Sequence, residues 1–113
     1  MKKIRTVFVG FCLVMACNLY AQPPAAIQLA NHIADKMKDT LVLTMGQRGQ
    51  IYAININLHN QKMQVRQQTT NLDSLRVRTQ RVESKRDSLY RTILSDAKYV
   101  LYLQKKRYLV TAN

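Results

Sequence analysis

The chain has 113 residues, 18 of them lysine or arginine and six aspartate or glutamate, giving a formal net charge of +12 at pH 7. This length accommodates a single domain and leaves no room for a second core. The charge favours anionic partners, and the sequence offers no glycine-rich phosphate loop of the P-loop type. We therefore expect a binding protein that is not an enzyme and uses no cofactor.

The N-terminus has the layout of a secretory signal peptide. Met1–Arg5 is cationic, and Thr6–Leu19 is apolar apart from one glycine and one asparagine. The apolar run is shorter than the roughly 20 residues that a membrane-spanning helix needs. Cleavage after Ala21 is the preferred interpretation. It divides the chain into a signal peptide at 1–21 and a single all-helical domain at 22–113, located in the periplasm.

A lipoprotein is the alternative outcome of export. In that case Val14–Cys17 is the cleavage box and Cys17 carries the lipid that tethers the chain to a membrane, although Met15 fits such a box poorly. Both cysteines, Cys12 and Cys17, lie in the leader. Cleavage after Ala21 would leave a domain without thiols, held together by helix packing, by association, or by both.

Export also changes the expected partner. Removing the three basic residues of the leader leaves 15 cations against six acids, a net charge of +9. In a cytoplasmic protein this excess would suggest nucleic acid. In an exported protein it favours anionic envelope components or acidic, unfolded polypeptides, so we predict no nucleic-acid partner. A charged surface that serves only solubility is the alternative.

Hydrophobic spacing predicts three to four helices and no strand. A first helix begins at Pro23-Pro24, ends near 40–43, and repeats apolar residues at Ile27, Ala30, Ala34, Met37 and Leu41. A second starts near residue 44 and ends at the polar stretch 67–71, because threonine and asparagine favour caps over helix interiors. Its two apolar rows are Ile51, Ile54, Leu58 and Val65, and Tyr52, Ile56 and Met63.

The third and fourth helices follow the polar stretch. The third carries one stripe at alternating spacings of three and four, formed by Leu72, Leu75, Thr79, Val82, Arg86, Leu89 and Ile93. Because Thr79 and Arg86 are polar, the stripe does not predict a uniformly apolar interface. The fourth begins at Ser95, with Tyr99, Leu103 and Val110 on one side and Leu101 and Tyr108 on another.

Two helix starts share a motif. In Leu43-Thr44-Met45-Gly46-Gln47 the Thr44 hydroxyl can accept from the Gln47 amide while the Gln47 side chain accepts from the Thr44 amide, which is a capping box. The second start has Leu94, Ser95 and Tyr99, with Lys98 in place of glutamine. A lysine cannot accept a hydrogen bond, so this copy is degraded. Capping boxes begin many unrelated helices.

Two such starts in an exported, basic, helical chain resemble the LTxxQ superfamily of periplasmic proteins, which includes Spy and CpxP. Leu43–Gln47 matches the motif in full, and Ile51–Asn55 with Met63 is similar to small members from Bacteroidetes-type bacteria. The second copy lacks the glutamine. The resemblance covers roughly Met37–Tyr108.

The resemblance implies an all-α fold, with three to four helices in an elongated, curved helical hairpin arrangement that pairs into an antiparallel homodimer. It also implies a chaperone that needs no ATP, or an adaptor in envelope stress signalling. In Spy-like chaperones a basic, partly apolar concave face holds clients loosely enough to fold while bound.

The third helix itself allows such a use. Arg78, Arg81 and Lys85 lie beside the apolar stripe at spacings of three and four, whereas the opposite flank mixes both charges. Cations capture at long range and apolar groups add weak contacts, and neither requires a particular sequence. A solvated helix face is the alternative. The predicted client-binding residues are Arg78, Arg81, Val82, Lys85, Arg86 and Leu89.

Nothing in the sequence advertises catalysis or a metal site. His32 and His59 are isolated from other metal ligands, so surface histidines are the default interpretation. Glu83 and Asp87 could resemble an acid pair, but nearby arginines, Arg86 and Arg91, neutralise them. Two hypotheses remain: a chaperone for unfolded or partly folded proteins, and a regulatory adaptor or structural protein that docks a sensor or an anionic envelope component.

Overall fold

The computed structural model describes residues 24–112, which form four α-helices and no strand. The helices are α1 (Pro24–Leu41), α2 (Met45–Gln68), α3 (Leu72–Arg91) and α4 (Asp96–Leu109). The all-helical prediction is confirmed. The predicted signal peptide, with Cys12 and Cys17, lies outside the described residues. Within 24–112, no helix is both long and apolar enough to cross a membrane.

The local signals for the helix ends act as predicted. Thr44 Oγ1 accepts from the Gln47 amide at 3.1 Å, and Gln47 Oε1 accepts from the Thr44 amide at 3.0 Å, which confirms the capping box at the start of α2. Asn71 caps α3 through a bond from the Ser74 amide at 3.0 Å. Ser95 caps α4 more weakly, accepting from the Lys98 amide at 3.4 Å.

The turn between α1 and α2 forces a valine into a conformation that valine disfavours. The Leu43 amide donates to the Lys38 carbonyl at 3.0 Å, the long bond of a Schellman motif. This motif needs left-handed backbone at the residue in between, and Val42 supplies it with φ of 55°. Glycine is the usual residue there, because a β-branched side chain is strained at positive φ.

The main hydrophobic core, called here the four-helix core, draws on every helix. Its largest side chains include Tyr90, Tyr102 and Met37, each 0% exposed. The rings of Tyr90 and Tyr102 meet edge to face with centroids 5.0 Å apart, a favourable aromatic geometry. The core comprises Ile33, Ala34, Met37, Leu41, Leu43, Ile51, Tyr90, Leu94, Tyr102 and Leu109.

A second, smaller cluster belongs to α2 and α3 alone. Leu58, Val65 and Val82 are buried in it, with Ile54 and Leu75 packed alongside. We call it the hairpin cluster, since it joins the two arms of the α2–α3 hairpin.

The structure corrects several predicted helix faces. In α1, Ala26 and Ile33 are buried while Ile27 is only half-buried. In α4 the buried residues are Tyr102 and Leu109, not the predicted row, of which Leu103 is largely exposed. The reason is that residues 99–103 are all apolar, so hydrophobic spacing does not predict which face of α4 is buried. Packing against α1 and α3 determines that face.

Candidate binding groove

An open groove runs between α2 and α3 and has a volume of about 650 Å³. Its floor is apolar, formed by Ala53, Ile54 and Leu89. One wall comes from α2 and carries neutral amides, and the other comes from α3 and carries hydroxyls and an amine. The wall residues are Asn57, Gln61, Ser84, Lys85 and Ser88.

Two hydrogen bonds lie in the groove, one across it and one along its α2 wall. Lys85 Nζ donates across to Gln61 Oε1 at 3.2 Å, and Gln61 Nε2 donates along α2 to Asn57 Oδ1 at 2.6 Å. Lys85 therefore retains two N–H groups and Asn57 retains its NH₂, while the Ser84 and Ser88 hydroxyls can still accept. A polypeptide backbone, which carries both carbonyls and N–H groups, matches this mixture.

We call the predicted row Arg78, Arg81 and Lys85 the basic rim: Lys85 lines the groove, and Arg78 and Arg81 precede it on α3. Arg78, Arg81 and Lys85 are all exposed. Arg78 donates to Thr69 Oγ1 at 2.7 Å, so it reaches across to the end of α2. Within residues 24–112, none of the three lies within ion-pair distance of a carboxylate. None of the described residues that line the groove carries a carboxylate side chain. The rim therefore presents uncompensated positive charge.

Two predicted site residues do not reach this surface. Val82 and Arg86 are each 6% exposed, packed between α2 and α3, which corrects their assignment to the client-binding face. The apolar stripe of α3 faces α2 at these positions, since it is the stripe that joins the hairpin. Leu89, 36% exposed, remains in the groove floor.

Arg86 instead anchors a buried polar network. Its Nη1 donates to Asn55 Oδ1 and, at 3.0 Å, to the Tyr90 hydroxyl, which in turn donates to Asn55 Oδ1 at 3.0 Å. Its Nε donates to Glu83 Oε1 at 2.5 Å. A buried charge is tolerated when it is paired and hydrogen-bonded, so the network explains how an arginine can occupy the apolar stripe.

The network also sets the ionisation of its members. Burial opposes charge on Glu83, but hydrogen bonds from Arg86 and Lys62 outweigh it and lower the pKa of Glu83 to about 2. Burial likewise opposes the charge on Arg86, yet its bond with Glu83 raises the Arg86 pKa. Burial raises the pKa of Tyr90. Glu83 and Arg86 therefore remain charged at neutral pH.

The acids of α3 explain why its charge is lopsided. Asp87 accepts from the Tyr102 hydroxyl at 2.7 Å and from Lys106 Nζ at 2.9 Å. Its cation is Lys106 of α4, not Arg91 as predicted; Arg91 lies over the Tyr99 ring at 5.1 Å. Burial, followed by the bond to Asp87, raises the pKa of Tyr102. The acidic flank thus faces other helices, and the basic flank faces solvent.

The two helix-start motifs lie against each other. Gln47 Nε2 donates to the Ile93 carbonyl at 3.3 Å, and Lys98 Nζ donates to the Val42 carbonyl at 2.8 Å. Each donor lies three residues after its own cap, and each acceptor lies two residues before the other cap. Lys98 occupies the position of the missing glutamine and cannot complete the capping box, but it makes the same kind of bond to the other motif as Gln47 does.

The apolar residues of both motifs support this arrangement. Leu43 and Leu94 are buried in the four-helix core, and Tyr99 packs against it. The motif residues Leu43, Thr44, Gln47, Leu94, Ser95 and Tyr99 thus serve capping and packing at one end of the molecule.

No metal centre forms among the described residues. His32 is exposed and His59 is half-buried, and residues 24–112 contain no cluster of three or more histidine, cysteine or acidic side chains that could hold a metal ion. Comparison with known proteins identifies no relative: no family model, no curated protein and no solved structure matches the chain.

The sequence predicted two residues of the groove lining, Lys85 and Leu89, and missed the others. Asn57, Gln61, Ser84 and Ser88 carry no signal of their own, since polar residues cover most exposed helix faces. Their register relative to Leu58 and Val82, the buried residues of each arm, would have placed them on the same side of the hairpin as Lys85.

Proposed function

We propose that the protein is an ATP-independent, chaperone-like protein of the periplasm that binds unfolded or partly folded envelope proteins in the α2–α3 groove. The observation that carries this proposal is the exposed basic rim, Arg78, Arg81 and Lys85, which meets an open groove at Lys85; the groove has an apolar floor and no carboxylate in its described lining. The resemblance to the Spy-like LTxxQ proteins supports it, and so does the signal-peptide pattern at 1–21.

The chemistry of the groove suits weak and varied binding. Cations attract acidic segments over about 10 Å at moderate salt, and the unused donors can bond to peptide carbonyls of any sequence. The floor offers only Ala53, Ile54 and Leu89 for apolar contact. No deep pocket selects one side chain, so clients can exchange rapidly. Pairing into an antiparallel homodimer would join two such grooves.

Aggregation assays test the proposal directly. The purified protein should suppress aggregation of several unrelated clients at near-stoichiometric amounts, and added salt should weaken capture. The triple variant Arg78→Glu, Arg81→Glu, Lys85→Glu should bind clients about tenfold more weakly, since each exposed charge contributes up to roughly 1 kcal/mol.

A matched control separates the groove from total charge. The variant Arg76→Glu, Lys105→Glu, Arg107→Glu makes the same charge change at exposed positions outside the groove. Circular dichroism should show both variants folded. Equal loss in both would assign binding to net charge, and no loss in either would place the client elsewhere. Failure with every client, combined with one saturable envelope partner, would favour the adaptor or sensor-docking role.

Export and anchoring have their own test. We expect the protein in the periplasmic fraction, with a mature N-terminus at Gln22 shown by intact-mass measurement. A lipid adduct on Cys17 would instead establish the lipoprotein, and retention in the cytoplasm with an intact leader would reject both.

A further inference from the structure

A small cavity lies on the opposite side of the hairpin from the binding groove. It has a volume of about 60 Å³ and shares no lining residue with the groove. This is several times the roughly 10–15 Å³ that a single water molecule requires, but too little for an organic ligand. The lining residues are Ala26, Leu29, Ala30 and Ile33 of α1 with Asn55, His59, Lys62 and Arg86 of the hairpin.

The polar groups around the cavity have several donors to spare. Asn55 Oδ1 already accepts from both Arg86 and Tyr90. Among residues 24–112, Lys62 donates to Glu83, which leaves two of its N–H groups unused. Arg86 Nη2, which donates once to Glu83, keeps its second N–H.

His59, which also lines the cavity, carries an unpaired polar atom. Within the described part of the chain, its Nε2 is the buried side-chain nitrogen that has no hydrogen-bond partner. Buried polar atoms in folded proteins are usually satisfied, so an unpaired one calls for a bound species. With its proton on Nε2, His59 becomes a further donor beside Lys62 and Arg86.

The charges around the cavity add up to a positive excess. Arg86 and Lys62 are both paired to the single carboxylate of Glu83, and the other nearby acid of α3, Asp87, is bound to Lys106. One positive charge therefore remains uncompensated beside a partly buried space, where electrostatic attraction is stronger than in water. Water molecules can bond to these donors and to one another, but they would leave the positive charge uncompensated. An anion satisfies the donors and also neutralises the charge.

We propose that this cavity binds one small monovalent anion of the halide class, held by Arg86, Lys62 and His59 Nε2–H. The ion enters past Leu29 and Lys62, which are partly exposed. It ties α1, which supplies only apolar walls, to the α2–α3 hairpin by completing the polar side of their contact. Bound anion stabilises the folded state, because the unfolded chain has no such site.

Thermal unfolding of the purified chain tests the site, with chloride exchanged for gluconate at constant ionic strength. Chloride should raise the melting temperature with a saturable dependence, by about 4–8 °C at roughly five times its dissociation constant. The variants Lys62→Met and His59→Leu should lose this chloride dependence. Lys105→Met, which removes an exposed cation far from the cavity, should keep it.

Bromide-soaked crystals provide a second measurement that does not depend on variant stability. An anomalous peak within hydrogen-bond distance of Arg86 and Lys62 supports the site. Equal melting temperatures in chloride and gluconate overturn the proposal. So does an ordered water without anomalous signal in the cavity, and so does a bromide peak unaccompanied by chloride-dependent stability, which would show an adventitious ion only.

Discussion

The two ends of the α2–α3 hairpin are covered very differently. At one end, helices α1 and α4 pack over it and all four helices share the four-helix core. Toward the other end, the apolar contact that the structure describes between the two arms is the hairpin cluster of Leu58, Val65 and Val82, and Leu72 is 80% exposed. Local stability follows buried apolar contact, so the tip should open more readily than the four-helix end. The groove lies between the four-helix core and the hairpin cluster.

The largest expected effect compares one substitution at each end. Met37→Ala removes a fully buried side chain from the four-helix core and should lower the free energy of unfolding by about 2–5 kcal/mol. Val65→Ala in the hairpin cluster should cost only about 1–2 kcal/mol. Chemical denaturation measures both. Equal losses would show that the two clusters contribute alike and would break the comparison.

Native-state hydrogen exchange sharpens the same experiment. Val65→Ala should accelerate exchange at the hairpin tip, whereas Met37→Ala should accelerate it throughout the chain.

The next effect concerns Glu83, which is paired with Arg86 and Lys62. Its pKa is lowered to about 2 in the folded state, against about 4.3 in an unfolded chain. The stabilisation is therefore fully present above about pH 5 and is lost as the pH falls toward 2. We expect it to amount to about 2–3 kcal/mol at neutral pH.

The control for this titration is Glu83→Gln. It should show a flatter stability profile between pH 5 and 2 than the unmodified chain. Identical profiles for the two proteins would refute the linkage.

A smaller effect compares the two helix starts. Thr44→Ala removes a complete capping box and should destabilise the protein by about 1 kcal/mol, whereas Ser95→Ala removes a longer, weaker bond and should cost about half as much. Thermal melts of both variants check the order. A larger loss at Ser95 would mean that the degraded motif is the more important cap.

The smallest effect has the opposite sign. Val42 is 76% exposed and has φ of 55°, so Val42→Gly removes strain without removing packing. We expect a gain of about 0.5–1 kcal/mol, after the larger backbone entropy of glycine in the unfolded chain is counted. Val42→Ala, which keeps a Cβ at positive φ, is the matched variant and should gain less. A loss of stability at Val42→Gly would contradict the account.

The helix boundaries could be predicted from sequence because local signals determine them. Pro24, Thr44, Asn71 and Ser95 stand at or beside the first residues of the four helices, and each supplies a helix start by its own chemistry. The exposed basic row was also predictable, since spacing alone places Arg78, Arg81 and Lys85 on one face.

The buried network could be predicted only in part, because Glu83 and Tyr90 are helical neighbours of Arg86 whereas Asn55 and Lys62 are distant in sequence. The interrupted stripe indicated that Arg86 would not lie in a dry seam, but its acceptor, Asn55, is 31 residues away. Tyr90 and Tyr102 were missed because tyrosine is found both in cores and at surfaces. Only the packing of α3 against α4 brings their rings together.

Gln47 and Lys98 hold the two bends of the molecule together by reciprocal hydrogen bonds. Gln47, at the start of α2, donates to the Ile93 carbonyl in the bend between α3 and α4, and Lys98, in α4, donates to the Val42 carbonyl in the bend between α1 and α2. Moving the bend between α1 and α2 therefore stretches a bond made by α4, and moving the bend between α3 and α4 stretches a bond made by α2.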